Sequence, residues 1–95
     1  DSGSLNYAGV DGLLTALPKG YILINIDHHT SNNNYGDINL VISTAASCTE
    51  IIYRLFNSWK INWTPEIATA LICGIITDTS GFTNPATNYR TLEAS

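Results

Sequence analysis

The sequence predicts an α/β fold in which a mostly parallel sheet is flanked by helices, and three observations carry that expectation. An almost unbroken apolar run at residues 21–26 has the length of a strand. Two helix starts are written at Ser47 and at Thr64. The order along the chain is helix, strand, strand, helix, helix, which suits a sheet covered by its own connections.

Val10, Leu13, Leu14 and Leu17 recur at the spacing of one apolar helix face, and Pro18 with Gly20 stops the helix. The run at 21–26 is rich in β-branched residues and bounded by Gly20 and Asp27. It reads as a strand covered on both faces, as parallel strands are. Residues 30–37 hold three consecutive asparagines and Gly36, an exposed loop. Residues 38–42 make a second short strand. Ser47 and Glu50 then form a capping box ahead of a helix whose buried face is Ile51, Ile52, Leu55, Phe56 and Trp59. Thr64, Pro65 and Glu66 supply a cap, a harmless proline and an acid at the positive end of another helix. That helix is apolar almost throughout residues 67–76 and is expected to be enclosed rather than amphipathic.

Ninety-five residues allow one domain or a piece of one. With 44% hydrophobic and 13% charged residues the chain is not a disordered one. Eight acids against four bases, a net charge of −4, exclude a non-specific nucleic-acid coat or a membrane-surface protein. No apolar run reaches the roughly 18 residues of a span, so no membrane partner is expected. A chain without methionine does not open at its own translation start, and residues 89–95 read as a helix entered and cut short. An excerpt of a longer protein is expected. Cys48 and Cys73 fall in helical segments and are expected to pack as small hydrophobes in a reducing, cytoplasmic setting.

The chemistry concentrates at Asp27, His28 and His29, placed at the carboxyl end of the first strand, where open α/β sheets bind ligands. Imidazole is a common metal ligand, and a neighbouring carboxylate fixes its tautomer. Adjacent side chains are expected to point different ways and so to do different jobs. On spacing alone, a solvated pair of loop histidines is an equal alternative. Asp78 is a carboxylate at the end of an apolar helix, against the dipole, and is costly there unless paired or bound to a metal. An aspartate capping its own turn is the alternative there. Asp1, followed by Ser2, Gly3 and Ser4, resembles a strand-end turn whose strand has been cut away, and taken alone an ordinary chain end is the stronger alternative. Asp1, His28 and Asp78 make an oxygen and nitrogen set suited to Mn²⁺ or Mg²⁺ rather than to a thiolate zinc site.

Several segments together carry a family resemblance: Asn25-Ile26-Asp27-His28-His29-Thr30-Ser31-Asn32, Tyr35-Gly36-Asp37 with Asn39-Leu40, Ala46-Ser47-Cys48-Thr49-Glu50-Ile51-Ile52-Tyr53, Gly74-Ile75-Ile76-Thr77-Asp78-Thr79-Ser80-Gly81-Phe82, and Arg90-Thr91-Leu92-Glu93. In this order they resemble the second half of the catalytic domain of the DHH phosphoesterase superfamily. Within it they are closest to the branch of oligoribonucleases (nanoRNases) and 3′-phosphoadenosine 5′-phosphate phosphatases.

The resemblance implies a two-metal phosphoesterase using Mn²⁺, with Mg²⁺ as the alternative ion. Asp1 would bridge the two ions, while His28 and Asp78 would ligate one of them. His29 would face the scissile phosphate as charge stabiliser or proton donor, and Asp27 would orient the pair. The implied partners are short RNA or a nucleotide substrate and, in the full-length protein, a second copy of the chain. The family's first motif, a histidine with a D-x-D pair, and its smaller C-terminal substrate-binding domain are absent from residues 1–95. The 95 residues alone are therefore expected to turn over little or nothing. A catalytically silent nucleotide- or partner-binding domain, and a relative that cleaves cyclic dinucleotides or pyrophosphate, stand as alternatives. The apolar helix at residues 65–76 is compatible with an association surface in either case.

Overall fold

A computed structural model describes residues 1–95, the side chain of Asp11 excepted, as two compact units, Asp1–Ser43 and Thr44–Ser95. In the first unit α1 (Leu5–Ala8) and α2 (Asp11–Leu14) precede a two-stranded parallel sheet of β1 (Ile24–Asp27) and β2 (Ile38–Val41). The second unit holds α3 (Cys48–Ser58), α4 (Pro65–Asp78) and α5 (Tyr89–Ala94).

Two single turns stand here, α1 ahead of residues 10–17 and α2 within them, in place of one helix through 10–17. Ser4 caps the first by accepting from the N–H of Tyr7, and Gly9 ends it at φ 70°, a left-handed conformation in which glycine has no Cβ to clash. The apolar spacing of Leu13 and Leu17 does not mark a buried face, since both are exposed. The strand expected over 21–26 is shorter and shifted. The ladder pairs Ile24 with Ile38 and Asp27 with Val41. Its register is held at one end by Asp37, whose Oδ2 accepts from Leu23 N–H at 2.9 Å, and at the other by Ile42 N–H donating to the Asp27 carbonyl at 3.0 Å. Nor is β1 apolar on both covered faces. Side chains alternate along a strand, and here the buried set is Asn25 and Asp27, while Ile22 and Ile24 are exposed.

Both long helices begin where local chemistry says they should. The Ser47 hydroxyl accepts from Glu50 N–H at 3.1 Å, and the Thr64 hydroxyl from Ile67 N–H at 3.3 Å. The Glu50 carboxylate departs from the capping box by one residue, accepting from Ala46 N–H at 3.0 Å. On α3 the buried face centres on Ile51, and Trp59, expected with it, lies exposed beyond the last helical residue. Tyr53 and Phe56 instead meet Trp63, ring centroids 5.6 and 6.2 Å apart.

The enclosed helix expected at 67–76 is covered on one side only. Leu71 and Ile75 are buried, whereas Ile76 and Cys73 are exposed. Cys73, a free thiol, therefore does not pack as a core hydrophobe. The contact between α3 and α4 is close because residue 74 has no side chain. A Cβ there would stand 2.3 Å from Thr49 Cγ2 and 2.8 Å from its Oγ1. Among the described residues, no helix is long and apolar enough to cross a membrane.

Candidate metal centre

Asp27 closes β1 on the same face as Asn25, and its carboxylate is removed from solvent. A buried carboxylate is costly unless its lone pairs are used. Here Oδ2 accepts from Asn32 Nδ2 at 2.6 Å, and Oδ1 lies 2.8 Å from His29 Nδ1. Burial pushes the Asp27 pKa up. The hydrogen bonds from the Asn32 and His29 side chains and the His28 backbone, with the attraction of His29, outweigh it and lower the pKa from 3.8 to about 2.

The sign of the pH dependence follows. A carboxyl group depressed in the folded state adds stability above its unfolded value and loses it as pH falls through the folded one. The Asp27 contribution, on the order of 2 kcal/mol, is expected to be full above pH 4 and to fade toward pH 2. Urea denaturation at pH 5 and pH 2.5, for wild type and Asp27→Asn, checks it. The difference between the two proteins should shrink by about two thirds of that amount at the lower pH, and a constant difference would contradict the assignment.

His28 and His29 follow the strand end, where strand alternation no longer governs side-chain direction. The expectation that they point apart is not met. Their ring centroids are 4.5 Å apart with planes at 57°, and His28 Nε2 and His29 Nδ1 each lie 3.6 Å from the same Oδ1 of Asp1. The backbone nitrogen of Asp1 lies 3.0 Å from the Ile26 carbonyl oxygen. Ser2 behind it is buried, with its hydroxyl donating to Ser4 O at 2.9 Å.

Asp1, Asp27, His28 and His29 each offer a ligand atom, and these atoms all lie within 4.8 Å of one another. This arrangement fits a divalent cation. His28 Nε2 stands 3.6 Å from a carboxylate oxygen of Asp1, too far for a hydrogen bond and close enough to share a third partner. The donor chemistry, carboxylate oxygen with imidazole nitrogen and no thiolate, suits Mn²⁺ or Mg²⁺. Asp27 is distinguished within the set, since both of its oxygens already face donors. A cleft of about 430 Å³ opens beside the group, lined by Asp1, Ser2, Gly3, Ser4, Tyr7, His29 and Ser31. His29 is the accessible ring, its side chain 50% exposed against 16% for His28.

Asp78 belongs to the second unit and is the last residue of α4. The chain turns sharply after it. Thr79 is buried, its hydroxyl donating to Ile75 O at 2.7 Å and accepting from Phe82 N–H at 3.0 Å. Ser80, Gly81 and Phe82 follow with φ of 50°, 69° and 67°. Left-handed backbone is rare for a bulky residue such as phenylalanine, so this turn is held by its contacts rather than by local preference.

Two residues at the cluster, Asn25 and Asn32, have no role assigned from the sequence, although both stand in the segment that carries the family resemblance. The available signal was the two-residue period, which puts Asn25 and Asp27 on one face of β1. Asn32 left no such signal.

A family model described as "DHH family, N-terminal domain" matches residues 1–75. The chain is similar to the "Bifunctional oligoribonuclease and PAP phosphatase NrnA" of Thermus thermophilus, 35% identical over 69 residues, 73% of this chain and 21% of that protein. The protein of the same name from Bacillus subtilis is 37% identical over 81 residues, 80% of this chain and 25% of its own length. A "Probable bifunctional oligoribonuclease and PAP phosphatase NrnA" of Streptococcus mutans is 40% identical over 75 residues, 77% and 24%. The chain thus spans about a quarter or less of the length of these relatives.

Proposed function

We propose, from the premise that this chain belongs to the DHH family, that it is part of a metal-dependent phosphoesterase hydrolysing short oligonucleotides or 3′-phosphorylated nucleotides. The observation that carries this reading is the convergence of Asp1, Asp27, His28 and His29 on one small volume beside an open cleft. The substrate class is supported by the relatives, three of which are named for oligoribonuclease and PAP phosphatase activities. In the complete protein, the two-stranded sheet would be one piece of a larger, mostly parallel sheet flanked by helices. The 95 residues would be the C-terminal portion of its catalytic domain.

Two divalent ions, Mn²⁺ with Mg²⁺ as the alternative, would supply Lewis acidity to the phosphoryl oxygens and to the attacking water. The chain's own residues do the rest. Asp1 and His28 would hold the ions with a carboxylate oxygen and Nε2, and Asp78 is assigned as a further ligand by its match to the family motif. The Asp27 carboxylate accepts the Nδ1 proton of His29 at 2.8 Å. That leaves Nε2 of the exposed ring to meet the substrate phosphate, where it would stabilise charge or deliver a proton.

The test is Mn²⁺-dependent release of phosphate and nucleotide by the full-length protein, with four substrates: dinucleotide RNA, 3′-phosphoadenosine 5′-phosphate, pyrophosphate and a cyclic dinucleotide. Turnover of the first two is expected. Turnover of only the other two would keep the chemistry and remove the substrate class, and turnover of none would leave a silent DHH-like domain.

A further inference from the structure

The loop between β1 and β2 carries asparagines that the chemistry above leaves unused, and their hydrogen bonds run in one sense only. The backbone N–H of Asn34 can only donate, so the Asn32 atom it meets at 2.8 Å is the side-chain oxygen. An ionised carboxylate only accepts, so the Asn32 atom facing Asp27 at 2.6 Å is the amide nitrogen. Asn39 is fixed by the same logic, its oxygen accepting from Gly36 N–H at 2.9 Å and its nitrogen donating to Gly36 O at 2.8 Å. Buried Asn25 then has one arrangement left. Its amide donates to Asn32 Oδ1 at 2.8 Å and to Asn39 Oδ1 at 2.9 Å, while its oxygen faces Asn32 Nδ2 at 3.2 Å.

The relay therefore presents Oδ2 of Asp27 with a donor, anchored at its far end by backbone groups. A carboxylate held at Oδ2 cannot rotate, and Oδ1 stays turned to His29 Nδ1. The Asn32 amide also reaches Ser2 O at 3.1 Å, an oxygen that the Tyr35 hydroxyl shares at 3.1 Å. One side chain thus touches both the carboxylate that orients His29 and the backbone that bears Asp1.

We infer that Asn32 is a positioning residue, locking the Asp27 carboxylate so that the His29 proton stays on Nδ1 and Nε2 is the ring atom offered to substrate. The inference rests on the reading of His29 as the group that meets the phosphate, yet its test needs no turnover.

The experiment is long-range ¹H–¹⁵N spectroscopy of the full-length protein at pH 9 with chelator present, reading the His29 tautomer directly. Wild type is expected to show His29 protonated at Nδ1. Asn32→Ala should lower the ratio of Nδ1–H to Nε2–H by about tenfold, the weight of one charge-assisted hydrogen bond, while Asn33→Ala should leave it unchanged. An unaltered ratio in Asn32→Ala overturns the proposal, as does an Nε2–H tautomer in wild type. Should Asn32→Ala not fold, wild type decides through side-chain amide exchange. The Asn32 carboxamide protons are expected to exchange about tenfold or more slower than those of exposed Asn33, and equal rates overturn the proposal. Failure of this test removes the role of Asn32 alone, whereas an inactive full-length protein removes the phosphoesterase reading.

Discussion

Glu50→Ala is expected to cost the chain about 3 kcal/mol or more, a large fraction of the stability of a small domain. Glu50 is fully buried, and its carboxylate collects three donors from separate stretches of the second unit. Oε2 accepts from Ala46 N–H at 3.0 Å and from the Thr91 hydroxyl at 2.9 Å, and Oε1 pairs with the Arg54 guanidinium. The residue thereby joins the segment before α3, α3 itself and α5. Removing it strands a backbone N–H and a hydroxyl away from water, and each such group costs about 1–3 kcal/mol. Arg54 contributes less, because its side chain is 30% exposed and can turn to solvent. Glu50→Gln keeps the volume and one acceptor oxygen and should lose roughly half as much as Glu50→Ala. Urea denaturation of the three proteins is the measurement. A Glu50→Ala midpoint close to wild type would mean that the network does not bear on folding.

In the full-length protein, His28→Ala and His29→Ala are expected to separate binding from turnover. His28→Ala should weaken Mn²⁺ affinity by more than about 100-fold, beyond the loss typical of a residue that only supports a ligand. His29→Ala should leave affinity near normal and lower turnover by about 100-fold to 10,000-fold, the range for a group that handles a proton or a developing charge. The grounds are geometric. His29 has its Nδ1 committed to Asp27 at 2.8 Å and its ring half exposed, whereas His28 aims Nε2 at Asp1 from a largely buried ring. Asp78→Asn should resemble His28→Ala. Calorimetric Mn²⁺ titration of each variant, paired with its turnover number, decides. Loss of metal uptake in His29→Ala with uptake preserved in His28→Ala would exchange the two assignments.

What could be read from the chain was chiefly what is local. Ser47 and Thr64 cap their helices because a cap needs only a side chain and an N–H three residues on. The position of Asp27, His28 and His29 at a strand end was legible for a similar reason, since a strand followed by a charge is a short-range pattern. The limits of β1 were not. Residues 21–23 are as apolar as a strand interior, but β2 pairs only from Ile24 onward, and pairing depends on residues 14 positions away. Burial misled at Leu13 and Leu17, along β1, at Trp59 and across 67–76, because hydrophobicity says what favours burial and not what lies against it. The role of Asn32 was not legible because its partners, Ser2 and Asp27, are 30 and five residues distant and only the folded loop brings them together.

The contact of Gly74 with Thr49 makes α4 a lever with unequal arms. At ~1.5 Å per residue, Asp78 stands ~6 Å beyond the fulcrum and Pro65 ~14 Å behind it. A rotation about this point would move the Pro65 end more than twice as far as the Asp78 end. A spacer at the fulcrum acts differently. Any side chain at 74 would need the room that Thr49 now fills, lifting the whole bar and carrying Asp78 with it. The missing methyl group at residue 74 is thus a length standard for a carboxylate one helical turn away.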